Sequence, residues 1–339
     1  MPVDKAWAVL EASCASGELC GAVAGVVSGD VVAMQAFGHS SQGPGGTKLG
    51  LDAIFDLASL TKVVATLPCI LQAVGGRDTR LDHTVSDFLP ELEGTAPGQA
   101  TLFQLLTHTS GLPAHHPFYR ETPDRAGILR VVAGMPLATR GEVVYSDIGF
   151  ILLGWVVEAL AGAGLDRVAG RRVFVPLGMV DTAFGAGAGT RVVATELGVP
   201  LGVVHDENAR SMGGVAGHAG LFSTVSDLAK YVQVWMNGGR KLLSPALAEL
   251  ATRDCTGGQG RGLGWLIPGP DSVFPRAGYG HTGFTGTSLW IYPPSRLAVV
   301  LLTNAVHPTR GNPATPRIRR EFHRAVWDAR DQRPGGEGA

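Results

Sequence analysis

Stretches of β-prone residues at both ends of the chain, with helical patterns between them, restrict the possible folds. Near the N-terminus, residues 21–27 and 31–37 are separated by Ser28-Gly29-Asp30, a composition typical of a hairpin turn. Four further β-prone stretches occur late in the chain, at residues 262–267, 278–282, 287–292 and 297–303. We therefore predict that the two ends of the chain fold together into one antiparallel sheet.

The middle of the chain has the spacing of helices. Apolar residues recur three and four apart from residue 57 to 74, and Gly75-Gly76 ends that pattern. The sequence thus predicts an α+β protein, in which residues 1–57 and 240–339 form a sheet domain flanked by helices. Residues 58–239 form an inserted, mostly helical domain. Further helices are predicted at residues 101–107, 125–133, 147–161, 227–237 and 317–330.

Charge and composition limit the kinds of molecule that this protein is expected to bind. The 28 Lys and Arg residues nearly balance 29 Asp and Glu, so the formal net charge is −1. A generic nucleic-acid binder or a protein of anionic membrane surfaces would carry a large positive field. Apolar residues make up 45% of the 339, enough for a substantial core. We expect a folded protein whose partner is a small molecule; the sequence leaves its oligomeric state open.

The sequence offers no prediction of membrane insertion or export. The first residues contain one early lysine and no unbroken apolar segment ahead of a small-residue cleavage site, so no secretory signal is predicted. The longest apolar stretch, residues 148–157, is shorter than the roughly 20 residues that span a bilayer. A cytoplasmic location is the resulting expectation. The four scattered cysteines are interpreted as free thiols.

Ser59-Leu60-Thr61-Lys62 is the first candidate for chemistry. A Ser and a Lys three residues apart on a helix share one face, so the amine can reach the hydroxyl. A helix N-terminus also supplies unpaired N–H groups where an oxyanion would develop. Apolar neighbours surround Lys62 in sequence, and we expect their burial of the amine to lower its pKa.

Two further segments add polar groups. Tyr145-Ser146-Asp147 directly precedes an apolar helix, so the phenol of Tyr145 can point into a cleft and act as a general base beside a protonated lysine. Gly280-His281-Thr282-Gly283 precedes a predicted strand near the C-terminus. Glycines on both sides of the polar pair permit a substrate to approach the strand edge closely.

The order of these three segments resembles the serine β-lactamase and penicillin-binding-protein superfamily, whose motifs are S-x-x-K, Y-x-N and K-T-G or H-T-G. The resemblance is closest to its class C β-lactamase, DD-peptidase and esterase branch. It covers residues 21–322 and includes Leu105-Leu106-Thr107-His108-Thr109-Ser110-Gly111-Leu112 and Gly213-Gly214-Val215-Ala216-Gly217-His218-Ala219-Gly220-Leu221-Phe222. It implies a β-lactamase-like fold, with the active site at the interface of the sheet domain and the helical domain, and a cofactor-free serine hydrolase.

The resemblance also implies roles for individual residues. Ser59 would be the nucleophile, Lys62 its activating partner, and Tyr145 the general base and later acid. The backbone N–H groups of Ser59 and Phe284 would form the oxyanion hole. Asp147, His281, Thr282 and Gly283 would bind substrate: a small ester, a D-amino-acid peptide or, weakly, a β-lactam.

Two positions depart from the superfamily pattern. Asp147 stands where penicillin-active members have Asn, and a carboxylate cannot donate a hydrogen bond to an amide carbonyl. His281 stands where many members have Lys, and a mostly neutral imidazole attracts a substrate carboxylate less strongly. Both departures favour an esterase-like enzyme over a dedicated β-lactamase.

Two alternatives remain at this stage. A non-catalytic binding or sensor protein of the same fold would be acylated on Ser59 without turnover. A metal-dependent hydrolase is suggested only by scattered histidines at 115, 116, 205 and 218, because no H-E-x-x-H or paired C-x-x-C motif occurs. We expect no metal and interpret His108 and His218 as hydrogen-bonding residues that order loops. Asp206 and Glu207 are expected either to fix a loop near the cleft or to contact substrate.

Overall fold

A computed structural model describes residues 3–330 except 44, 123, 270–271, 273 and 276–277. Eight strands lie in two sheets: β1 Gly21–Ser28, β2 Val31–Gly38, β3 Phe55–Asp56, β4 Ala183–Phe184, β5 Leu221–Ser223, β6 Tyr279–Thr282, β7 Ser288–Tyr292 and β8 Leu297–Thr303. The α-helices of the described part are α1 Asp4–Ala15, α2 Leu67–Gly76, α3 Leu102–Leu106, α4 Arg125–Ala133, α5 Asp147–Ala161, α6 Leu165–Ala169, α7 Val175–Leu177, α8 Glu207–Ser211, α9 Val225–Met236, α10 Pro245–Thr252 and α11 Thr315–Ala329.

The larger sheet joins the two ends of the chain, as predicted. Its order is β2-β1-β8-β7-β6, and every neighbouring pair is antiparallel. The β1–β2 hairpin pairs Ser28 with Val31, which leaves a two-residue turn. A smaller sheet of order β3-β5-β4 lies beside Ser59. The predicted antiparallel sheet flanked by helices is therefore confirmed, whereas the domain limits at 57/58 and 239/240 stay a prediction.

Both faces of the larger sheet are covered by helices, which explains the unbroken apolar sequence of β1. Because side chains alternate along a strand, Ala22 and Val26 point towards α1 and α11, and Val23 and Val27 point to the opposite face. Helix α9 packs against β1 and β8 on that opposite face. Helix α1 was not predicted from the sequence; its residues Ala6 and Leu10 are buried against α11 and the sheet.

The helical part of the chain centres on α5. Residues Ile148–Val157 of this helix are buried, and α2, α3 and α6 pack around it. The segment Lys62–Thr66 has π-helical hydrogen bonding before it continues into α2. Among the described residues no single helix could span a membrane; only α5 and the segment Leu165–Leu177 together pass by length and composition, with a 73° bend between them.

One strand prediction was wrong. Residues 262–267 form turns with two isolated bridges, Arg261 to Leu266 and Leu266 to Gly280. Gly264 has a φ of +74°, which an extended strand does not accommodate. A side chain at Gly262 would meet the carbonyl oxygen of Ala251 at 2.2 Å. The chain therefore passes close to other backbone here, and Arg261 lies in the same cleft as Ser59.

Candidate active site

Ser59 lies in a strained turn between β3 and the helix that contains Lys62. Ala58 has a φ of +46°, a left-handed conformation that costs a non-glycine residue energy. The buried carboxylate of Asp56 holds this turn, because it accepts hydrogen bonds from the N–H groups of Ala58 at 2.8 Å and of His205 at 2.7 Å. The turn presents Ser59 at the surface of a cleft.

The ammonium of Lys62 is buried and has an acceptor for each of its three protons. Its Nζ lies 2.9 Å from Ser59 Oγ, 2.7 Å from Asp147 Oδ1 and 3.3 Å from the carbonyl oxygen of His218. The Lys62 side chain has no exposed surface. A buried charge is stable only when it is paired and hydrogen-bonded, and this arrangement meets both conditions.

Asp147 reverses the effect that burial has on the pKa of Lys62. Burial by itself lowers the pKa of Lys62, but the Asp147 carboxylate and the Tyr145 phenol outweigh it, so the pKa is raised. Burial likewise opposes the charge of Asp147, yet Lys62 and His218 hold the pKa of that carboxyl below its ordinary value. The prediction of a lowered Lys62 pKa was therefore wrong, because sequence spacing does not reveal that Asp147 contacts the amine.

Tyr145 lies beside this ion pair. Lys62 Nζ is 4.9 Å from the centre of the Tyr145 ring, and the guanidinium of Arg261 is 5.2 Å from it. The ring of His108 packs on Tyr145 at 4.6 Å between centres, and His108 Nδ1 accepts a hydrogen bond from the Ser146 N–H. His108 thus orders the segment that carries Tyr145, as the sequence predicted.

Both residues of the expected oxyanion hole lie at the cleft. Ser59 and Phe284 both line it, and neither backbone N–H donates a hydrogen bond to any described protein group. The Thr285 hydroxyl donates to the Asp56 carbonyl at 2.8 Å, and that of Thr287 donates to the Leu57 carbonyl at 3.1 Å. These bonds fix the turn after β6 against the turn before Ser59. Both turns are therefore fixed in position, which the donors of an oxyanion hole require, and the oxyanion hole itself stays a prediction.

Of the four residues expected to bind substrate, His281, Thr282 and Gly283 line the same cleft, whereas Asp147 pairs with Lys62 and does not line it. Burial, with the nearby charges of Lys62 and Arg261, lowers the pKa of His281 to about 3. His281 Nδ1 lies 2.8 Å from the Thr282 carbonyl oxygen, which can only accept, so Nδ1 carries the proton and Nε2 is an acceptor. His281 is consequently a neutral group here and offers a substrate carboxylate no positive charge.

The cleft has a volume of about 460 Å³ and contains groups that the sequence analysis missed. Arg261 and Arg319 line it, and no Asp or Glu does so within the described part of the chain. Arg319 Nη2 donates to the carbonyls of Gly283 and Thr287 at 3.1 and 3.2 Å. Arg261 follows a glycine-rich turn and belongs to no recognisable motif, so no sequence signal could identify it.

The four histidines that suggested a metal site each lie beside a different carboxylate, and His115 Nδ1 is 4.0 Å from Asp147 Oδ2. His205 lies 3.1 Å from Glu196, and His116 lies 2.9 Å from Glu121. His218 Nε2 contacts Asp206 at 2.9 Å, which confirms that His218 orders a loop. Asp206 and Glu207 do not line the cleft: Asp206 also caps α8, and Glu207 pairs with Arg310. In the parts of the chain described, no three His, Cys, Asp or Glu residues are grouped to hold a metal ion.

Known proteins resemble this chain over most of its length. The family model described as Beta-lactamase matches residues 9–323. A protein of Salmonella gallinarum (strain 287/91 / NCTC 13346) named "Putative D-alanyl-D-alanine carboxypeptidase" is 30% identical over 337 residues, covering 84% of this chain and 78% of the relative.

Solved structures show the same fold at lower sequence identity. A class C β-lactamase from Rhodobacter sphaeroides matches 96% of this chain and 99% of its own, with a TM-score of 0.78 and 20% identity. EstCE1, described as a hydrolase with promiscuous acyltransferase activity, matches 96% of this chain and 98% of its own, with a TM-score of 0.79 and 22% identity.

Proposed function

This chain belongs to the Beta-lactamase family of serine hydrolases, and from that premise we propose that it works through an acyl-enzyme on Ser59. One observation carries the proposal: the Lys62 ammonium donates to Ser59 Oγ at 2.9 Å while Asp147 keeps it charged. A cation fixed beside the hydroxyl stabilises the alkoxide that forms as the proton leaves.

The proposed reaction has two acyl transfers. In this proposal Tyr145 enters the step as its phenolate: Ser59 Oγ attacks the substrate carbonyl carbon while its proton passes to the phenolate oxygen of Tyr145. The carbonyl oxygen becomes an oxyanion that accepts hydrogen bonds from the Ser59 and Phe284 N–H groups. Tyr145 then returns the proton to the leaving group as the tetrahedral intermediate collapses to the acyl-enzyme. Water then attacks the carbonyl carbon of the acyl-enzyme and gives a proton to Tyr145, which passes it to Ser59 Oγ. This step releases the acid product and free Ser59.

The proposed substrates are a small ester, a D-amino-acid peptide and, weakly, a β-lactam. The name of the Salmonella relative supports the peptide, and the description of EstCE1 supports the ester. The charged Asp147 argues against efficient recognition of a penicillin side chain, because its oxygens only accept hydrogen bonds. No metal or organic cofactor enters this proposal.

The pH dependence of Asp147→Asn tests how Lys62 acts. The catalytic cation is lost as pH rises through the pKa of Lys62, which Asp147 raises above the ordinary value. Asparagine removes that charge while burial still lowers the pKa. We therefore expect the alkaline decline of kcat/KM to move to lower pH, by roughly one to three units. The measurement is kcat/KM for a p-nitrophenyl ester from about pH 5 to above the ordinary lysine pKa of about 10.4, corrected for spontaneous hydrolysis.

Asp30→Asn is the matched control for this experiment. The Asp30 side chain is almost wholly exposed and lies at the turn between β1 and β2, remote in sequence from the site residues. Asp30→Asn removes one negative charge, as Asp147→Asn does, but at an exposed position outside the cleft. Its pH profile should therefore superimpose on that of the wild type. An Asp147→Asn profile with an unmoved alkaline limb would show that Lys62 does not act as the charged partner of Ser59.

A further inference from the structure

Strand β2 forms a free edge of the larger sheet. The sheet order is β2-β1-β8-β7-β6, so β2 has a neighbouring strand on one side only. At the opposite edge of the sheet, Leu266 forms a bridge to Gly280 of β6. On the outer side of β2, the bridge in the described part of the chain lies just beyond the strand, where His39 pairs with Lys48. The strand itself therefore has an unpaired side.

A hydrogen bond at the end of β2 shows which backbone groups point outwards. The Gly38 carbonyl accepts from the Leu49 N–H at 3.1 Å, on the side away from β1. Successive residues of an antiparallel strand direct their N–H and carbonyl groups to alternate sides. The groups of Val32, Met34 and Ala36 therefore also point away from β1. Within the described residues, no turn or loop forms a hydrogen bond with them.

The side chains of β2 give this edge no protection against pairing with another strand. The strand reads VVAMQAFG and contains neither a charged residue nor a proline. Edge strands of soluble proteins commonly carry lysine or proline, which prevents such pairing. Val31 is 68% exposed and Val32 is 37% exposed, so apolar surface lies beside the unpaired backbone groups. These features are typical of an edge that pairs with a further strand.

We infer that β2 pairs with β2 of a second copy of this chain, which joins the two sheets into one continuous antiparallel sheet. A two-fold axis relates the strands of such a pair, and an uncharged strand meets its own copy without repulsion. Leu49 already occupies the edge beside Gly38, so the second strand lies beside the earlier residues of β2. The register that meets this condition places Ala33 opposite its copy and Val32 opposite Met34 of the second copy.

The charges at the two ends of β2 favour a second copy over an unrelated strand. Asp30 precedes β2 and is almost wholly exposed, and its ion pair with Arg296 is exposed as well. Lys48 is exposed and lies beside the other end of the strand. In an antiparallel pair, Asp30 of each copy faces the end that carries Lys48 of the other copy. Opposite charges therefore approach each other at both ends of the interface.

The test measures the mass of the protein in solution by sedimentation equilibrium at about 1–100 µM. The wild type should reach twice the mass of one chain within this range. Val32→Lys introduces a charge at the edge and should raise the dissociation constant at least about tenfold. Met34→Pro should do the same, because it removes an N–H that points away from β1 and leaves the hydrogen bonds between β1 and β2 intact.

Val180→Lys is the matched control for Val32→Lys. Val180 is an exposed valine outside β2, so its replacement adds the same charge at a different part of the surface. Its dissociation constant should equal that of the wild type within about twofold. Urea unfolding of each variant shows that the protein is folded, and this check does not depend on catalytic activity.

Disulfide cross-linking tests the register. Residues opposite each other at a non-hydrogen-bonded position have Cα atoms about 4.5 Å apart, which a disulfide can join. Oxidised glutathione takes two electrons and two protons from the paired thiols of Ala33→Cys and yields one S–S bond and two reduced glutathione molecules. Ala33→Cys should therefore form a covalent dimer. Gln35→Cys should not, because its two copies would be offset by about 13 Å along the strands.

The wild type, which keeps its own four cysteines, is the control for cross-links that do not involve β2. A wild type that sediments as one chain throughout would overturn the inference and leave the edge to a strand of a different protein. A dimer that persists unchanged in both Val32→Lys and Met34→Pro would also overturn it, because the interface would then lie elsewhere. Stronger cross-linking of Gln35→Cys than of Ala33→Cys would contradict the register.

Discussion

Replacing Ser59 by alanine is expected to lower kcat/KM for a p-nitrophenyl ester on the order of 10⁴-fold or more, because no other group can form the acyl-enzyme. The structure predicts that the protein itself stays folded. Lys62 loses one acceptor but keeps the Asp147 carboxylate at 2.7 Å and the His218 carbonyl at 3.3 Å. The free energy of unfolding should therefore change by no more than about 1 kcal/mol.

Ser226→Ala is the control for that substitution. Ser226 is half-buried on α9, outside the cleft, and its hydroxyl contacts Met34. The kcat/KM of Ser226→Ala for the ester should remain within about twofold of the wild-type value. Steady-state ester hydrolysis gives kcat/KM, and urea unfolding gives the free energy of unfolding, for the wild type, Ser59→Ala and Ser226→Ala. A Ser59→Ala protein that hydrolyses the ester at a comparable rate would show that the nucleophile lies elsewhere.

Replacing Lys62 by methionine is expected to lower kcat/KM on the order of 10³-fold or more, because Ser59 Oγ loses the cation that stabilises its alkoxide. It also leaves the Asp147 carboxylate without its main partner. Breaking a fully buried ion pair costs about 3–5 kcal/mol, and the Asp147 side chain keeps 21% of its surface exposed. We therefore expect the free energy of unfolding to fall by roughly 2–4 kcal/mol.

The double variant Lys62→Met/Asp147→Asn separates the catalytic from the structural effect. It removes both charges, so most of the lost unfolding free energy should return. The rate should not return, because Ser59 still lacks the cation. Urea unfolding and ester hydrolysis are measured on both single variants and the double variant. Recovery of the rate together with the stability would mean that Lys62 serves only to neutralise Asp147.

Local sequence pattern was sufficient for most of the fold. The hairpin of β1 and β2, helix α5 and strand β8 follow from periodicity and turn composition, because those segments are long and regular. The stretch at 262–267 resembles a strand in composition. Its conformation depends on close packing against the backbone of Ala251, and local composition does not reveal that contact. Helix α1 was missed because tertiary burial rather than amphipathic spacing stabilises it.

The positions of the candidate site residues followed from motif order, but their electrostatics did not. Ser59, Lys62, Tyr145, His281 and Phe284 were named from the sequence, and the structure gathers all of them around one cleft. The state of Lys62 depends on a contact with Asp147, 85 residues away, which reverses the effect of burial. Arg261 reaches the cleft through an irregular turn, and such turns carry no periodic signal.

The most direct test of the acyl-enzyme is the intact mass of the protein after incubation with a fluorophosphonate, followed by peptide mapping. The wild type should gain one adduct, and that adduct should lie on Ser59. Ser59→Ala should gain none, while Ser226→Ala should be labelled as the wild type is. An adduct on any other residue, or equal labelling of Ser59→Ala, would contradict the assignment of Ser59 as the nucleophile.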